Sequence, residues 1–139
     1  AGRLAGLRKA RPGRRGARVQ YAHARICSLI ARLAEEGHLV PDAAAVDPAL
    51  YATAEEKALI KTLSQLPEVI RLAARDYDPS GVNRYLVTLA GEFHRFYNAC
   101  RIKGEEAAVL AARLKLADTV RAVIANCLSL IGVAAPEKM

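Results

Sequence analysis

The 139-residue sequence predicts an all-α helical bundle of about five helices. Apolar residues recur at three- and four-residue steps over most of the chain, the spacing that lines one face of an α-helix. No stretch alternates with period two for long enough to make a strand. Prolines fall between the periodic stretches and mark short connections, as a bundle requires.

The elements follow in order. Val19, Ala22, Ile26, Leu29, Ile30 and Leu33 form one apolar stripe, so a first helix should run from Val19 to Glu36 and stop at Gly37. Residues 38–52 read as a loop, because Pro41 and Pro48 break regular structure. Thr53 and Glu56 have capping-box spacing and should open a second helix through Leu59, Ile60 and Leu63. Pro67 breaks it and starts a short third segment carrying Val69, Ile70, Ala73 and Ala74. Asp78-Pro79 repeats the start signal for a long helix striped by Val82, Leu86, Leu89, Phe93, Phe96 and Cys100, expected to end near Gly104. Glu105 and Glu106 favour a helix N-terminus. The last helix then carries Leu110, Leu114, Ala117, Val120, Ile124, Cys127 and Leu128 down one face to Gly132, with Pro136 preventing continuation.

At this length the chain is expected to hold one folded domain, 19–139, preceded by a basic arm, 1–18. A hydrophobic fraction of 53% is ample for a packed core. The formal charge of +7 is carried by the arm, which has seven basic residues and no acidic one; from Val19 onward basic and acidic residues balance at 14 each. Either the arm holds an anionic partner by counterion release, or it is a leader foreign to the domain. No apolar run reaches the ~20 residues that span a bilayer, and no signal peptide heads the chain. Three widely spaced cysteines without a CxxC pair point to a reduced intracellular protein with neither a disulfide framework nor a zinc site.

Catalytic motifs are missing: there is no GxxxxGK[ST] loop, no GxGxxG turn and no HExxH pair. Cys27 and His23 lie four residues apart and could meet as a nucleophilic pair. A small buried cysteine beside a surface histidine is the commoner arrangement, and Cys100 and Cys127 fall in apolar stripes and read as core. The polar pattern is more informative. Tyr21, Arg25, Ser28 and Arg32 step along one flank of the first helix, and His94, Tyr97, Asn98 and Arg101 form a comparable cluster on the fourth. A ring beside a guanidinium can stack an unpaired base while the charge meets its phosphate. Tyr and Arg at this spacing also serve simply as a core-edge ring and a solvated charge. Burying both apolar stripes together would set the two polar flanks side by side.

These residues carry a family resemblance. Val19-Gln20-Tyr21-Ala22-His23-Ala24-Arg25-Ile26-Cys27-Ser28 resembles the helix that opens the C-terminal anticodon-binding (DALR) domain of arginyl-tRNA synthetases. The run Phe93-His94-Arg95-Phe96-Tyr97-Asn98 is similar to that domain's Phe-His-x-Phe-Tyr-Asn helix. Arg113-Leu114 through Ile124, and then Leu130-Ile131-Gly132-Val133-Ala134-Ala135-Pro136-Glu137-Lys138-Met139, resemble its final helix and its Leu-Gly-Val-x-x-Pro-Glu-x-Met ending. The family usually precedes the Gln-Tyr-Ala-His run with an Asn-Pro-Val segment; Gly13-Arg14-Arg15-Gly16-Ala17-Arg18 stands there instead.

The resemblance implies an anticodon-binding fold of the class I synthetase type and a parent enzyme, an arginine–tRNA ligase, that attaches arginine to tRNA(Arg) with ATP. This stretch would be its recognition module and would hold no cofactor. ATP and Mg would belong to a catalytic domain outside it. The implied partners are the tRNA(Arg) anticodon stem-loop and that catalytic domain, with no membrane, in a cytoplasmic monomer. Carried over by motif position, Tyr21 and Arg25 face the anticodon loop, Tyr97 offers it a stacking surface, and Met139 brings the terminal residue there. Ser28, Asn98 and Arg101 join this set as helix neighbours. The competing reading is a helical protein–protein interaction module, with the Tyr/Arg stripe as its docking face.

Overall fold

The structure is a computed structural model that describes residues 14–132 together with Ala135, Glu137 and Met139. Five α-helices are described: α1 (Arg14–Glu35), α2 (Ala54–Ser64), α3 (Leu66–Asp76), α4 (Ser80–Ala99) and α5 (Ala107–Leu130). Short 3-10 turns at Ala43–Ala45 and Pro48–Leu50 punctuate the first connection, and no strand occurs among the described residues. The all-α expectation is met, and no described helix is long and apolar enough to cross a membrane.

Helix α4 is the axis of the bundle, packing against all four other helices, while α1 packs on α4 and α5. Tyr21 lies beside His94, Arg25 over Tyr97, and Glu36 pairs with Lys103, so α1 and α4 run side by side in the same direction. Parallel neighbours need a long crossover, and α2 and α3 supply it on the far side of α4. The core between α1, α4 and α5 is made by the predicted stripes: Ala22, Ile26, Leu33, Leu89, Phe93, Phe96, Leu114, Val120 and Ile124 are all fully buried. Cys100 and Cys127 are buried there too.

Local chemistry explains most boundaries. Gly37 takes φ +89 and His38 N–H donates to the Leu33 carbonyl at 2.8 Å, closing α1 with a left-handed cap. The Thr53 capping box is complete: Glu56 N–H donates to Thr53 Oγ1, and Thr53 N–H to Glu56 Oε1, both at 3.1 Å. Gly132, at φ +76, follows the end of α5 as expected.

Two boundaries differ from expectation. Described helix α1 begins at Arg14, so residues 14–18 of the expected arm are helical; residues 1–13 lie outside the described residues. Gly16 sits in the first turns, where a glycine costs only about 1 kcal/mol and does not end a helix. At the other boundary α4 stops at Ala99, short of Gly104. Cys100 turns to extended backbone (φ −118, ψ 108), which buries both Cys100 and Ile102. Residues two apart share a face of an extended chain but point in nearly opposite directions on a helix.

Candidate nucleic-acid interface

Parallel packing of α1 on α4 sets the polar flanks of the two helices edge to edge. The Arg25 guanidinium carbon lies 4.2 Å from the centroid of the Tyr97 ring, a cation–π stack across the helix pair. One turn earlier the Tyr21 and His94 rings are 6.2 Å apart. Phe93, fully buried, backs both: its ring is 5.8 Å from His94 and 5.9 Å from Tyr97. The outer rings are thus held in place from below by the core. Tyr21 remains 49% exposed, so one aromatic face is open to solvent.

The electrostatics of the patch are basic. Burial, then the charges of Arg25 and Arg18, hold the His94 imidazole below its usual pKa, so the ring is neutral at physiological pH. Arg18, one turn before Tyr21, is exposed, and Arg32 continues the flank. Beyond Tyr97 the surface opens into a groove of about 470 Å³ between the end of α1 and residues 100–103, with Arg32, Arg101 and Lys103 among its lining.

The sequence-derived residues divide accordingly. Tyr21, Arg25 and Tyr97 come together as one surface, and Arg101 shares the groove with Tyr97. Ser28 and Asn98 are exposed on α1 and α4, with no described contact tying them to the rings. Met139 is 68% exposed, and the described contacts do not join it to the cluster. The nearby tail residue Glu137 contributes its charge at Cys27, which lies on the opposite, α5-facing flank of α1.

The Cys27–His23 pair is arranged opposite to the expectation of a buried thiol beside a surface ring. His23 is buried, whereas Cys27 is half-buried. Cys27 Sγ lies 3.8 Å from Nδ1 and 3.9 Å from Nε2, beside the ring and in line with neither nitrogen. Burial pushes the thiol pKa up, opposite to what an activated nucleophile needs. His94 was named with Tyr97 in the α4 cluster, and the fold adds its contact with Tyr21. One contributor was missed in the sequence. Lys103 lies past the helix end, off every periodic stripe, and only the fold brings it to the groove.

Comparison with known proteins places the same stretch. The family model of the DALR anticodon binding domain matches residues 19–139. Arginine–tRNA ligases of Acetivibrio thermocellus and Ruminiclostridium cellulolyticum are 48% and 47% identical over 121 residues, covering 87% of this chain. The chain spans 22% of the length of either relative. Among solved structures, Thermus thermophilus arginyl-tRNA synthetase superposes with a TM-score of 0.75 at 30% identity, over 87% of this chain and 20% of that one.

Proposed function

The chain belongs to the DALR anticodon-binding domain family over residues 19–139, and from that premise we propose that it is the module with which an arginine–tRNA ligase grips the anticodon loop of tRNA(Arg). The observation that carries the reading is the Arg25–Tyr97 stack beside the Tyr21–His94 pair. Rings braced by a buried phenylalanine, one of them covered by a guanidinium, suit unpaired bases and the phosphates between them. In this reading Tyr21 and Tyr97 offer ring faces and Arg25 and Arg101 meet phosphate. Ser28 and Asn98 hydrogen-bond at the margin, and Met139 closes the site from the tail.

Arginylation itself belongs to the catalytic part of the parent enzyme, where ATP and Mg are held, in the cytoplasm. Among the described residues no cluster of three or more His, Cys, Asp or Glu side chains could hold a metal ion. The 139-residue sequence has neither a GxxxxGK[ST] loop nor a GxGxxG turn, and alone it is expected to give no arginine-dependent ATP–pyrophosphate exchange; exchange in a preparation free of host synthetase would count against a recognition-only role. The main test is binding of a tRNA(Arg) anticodon stem-loop across a salt series. Affinity should fall steeply with salt, with a slope set by the phosphates contacted. Binding of the stem-loop no better than a scrambled loop would refute the proposal.

A further inference from the structure

The groove beyond Tyr97 has a construction of its own. Its apolar lining comes from Leu29 and Leu33 of α1 and from Ile102, all buried, and Tyr97 forms the wall on the side of the ring cluster. Arg32, Arg101 and Lys103 carry its positive charge, with the carboxylates of Glu35 and Glu36 in the same lining. Lys103 Nζ is held 2.8 Å from Glu36 Oε1, and Arg101 Nε 3.2 Å from Glu105 Oε1, both pairs being at least partly exposed. Arg32 is exposed at the same end of α1.

We propose that this groove seats a further nucleotide of the bound RNA loop, its base against Tyr97 and the apolar lining and its phosphate among Arg32, Arg101 and Lys103. The inference rests on the anticodon-loop reading given above. Continuity argues for the occupant: Tyr97 belongs both to the ring cluster and to the groove, so a strand leaving the cluster runs straight into it. Size agrees, since about 470 Å³ is in the range of pockets that hold small ligands. The groove's three cations outnumber the carboxylates of Glu35 and Glu36, so a phosphate is favoured where Lys103 can leave Glu36. Arg25 already covers Tyr97 at 4.2 Å, and a base entering from the groove can use the ring without displacing that guanidinium. The Lys103–Glu36 pair acts as a latch, because the lysine must exchange a carboxylate for a phosphate when the nucleotide enters.

The experiment compares the chain with Arg32→Ala/Lys103→Ala and with Glu36→Gln, using the tRNA(Arg) anticodon stem-loop over a salt series. Both positions of the double variant are exposed, so its melting temperature should match the parent's. Its affinity should fall about tenfold and its salt slope by about 0.7, the loss of one neutralised single-stranded phosphate. Glu36→Gln removes the competing carboxylate and should tighten binding severalfold. A double variant with the parent's affinity and slope, or a Glu36→Gln protein that binds more weakly, overturns the groove site. Tyr97→Ala separates the two levels. If it weakens binding while the double variant does not, the anticodon-loop reading stands and the groove falls. If the parent itself does not distinguish the stem-loop from a scrambled one, both fall.

Discussion

Tyr97 serves two neighbours at once, packing at a tilt on Phe93 and offering its face to Arg25. Its role is therefore separable by substitution. Tyr97→Phe keeps the ring and should bind the stem-loop nearly as the parent does. Tyr97→Ala removes a stacking platform worth roughly 1–3 kcal/mol, a loss of about ten- to hundredfold in affinity. Because Tyr97 is only half-buried, the melting temperature should drop modestly in comparison. A protein strongly destabilised by Tyr97→Ala that still binds like the parent would mark the ring as core. His94 supplies a pH signature at the same place. Burial and the Arg25 and Arg18 charges depress its pKa in the folded chain, whereas the unfolded chain keeps the ordinary value of about 6.5. Protons then bind the unfolded state first as pH falls, so stability present above about pH 6.5 is lost on acidification toward the folded-state value. Melting curves from about pH 7.5 to 5.5 should decline less steeply for His94→Gln than for the parent. Equal slopes would show that His94 titrates alike in both states.

Among the elements, the junction of α2, α5 and the segment after α4 has the most to lose. Glu56 is 1% exposed, and within hydrogen-bond reach its carboxylate meets Thr53 at the capping box and Arg113 Nε at 3.3 Å. Arg113 also donates through Nη1 to the Arg101 carbonyl at 2.6 Å, fixing the extended turn that carries the groove wall. Removing one partner of a buried pair leaves the other charge uncompensated and costs about 3–5 kcal/mol. Arg113→Ala should accordingly lower the melting temperature sharply, and Arg113→Ala/Glu56→Gln should recover part of that loss. A double variant worse than the sum of the single ones would refute the pairing. The Glu56–Arg113 pairing was not legible beforehand, because the two residues are far apart in sequence and meet only through the fold. The capping box, the Gly37 stop and the Pro67 break were legible, since each is decided by neighbours within a few residues. The end of α4 was misplaced for the converse reason: Gly104 looks like a stop, but the shared burial of Cys100 and Ile102 ends the helix first. The Arg25–Tyr97 meeting lies between these cases. The two apolar stripes implied that their flanks would adjoin, while the groove beyond them depends on where the chain goes after it leaves the helix.

At the scale of the whole molecule, charge and selectivity come from different places. From Val19 onward basic and acidic residues are equal in number, so the net charge of the folded body is only the +3 of Arg14, Arg15 and Arg18 at the start of α1. What it has is local placement, with Arg18, Arg25, Arg32, Arg101 and Lys103 on or beside one aromatic face. The chain's positive balance sits before Val19, four of its seven cations within residues 1–13. A cationic segment attracts every RNA alike through phosphate, whereas bases are told apart by rings and hydrogen-bonding groups that touch them. Deleting residues 1–13 should therefore weaken binding of the arginine stem-loop and of a scrambled stem-loop by the same factor. The salt slope should drop by up to about 3 if all four cations meet single-stranded phosphate. The ratio of the two affinities should not move. Measuring both loops on both proteins at one ionic strength isolates that ratio. If it collapses on deletion, the first 13 residues take part in reading the loop and the aromatic face does not discriminate on its own. If it holds while Tyr97→Ala abolishes it, discrimination resides where α1 and α4 lay their polar flanks together.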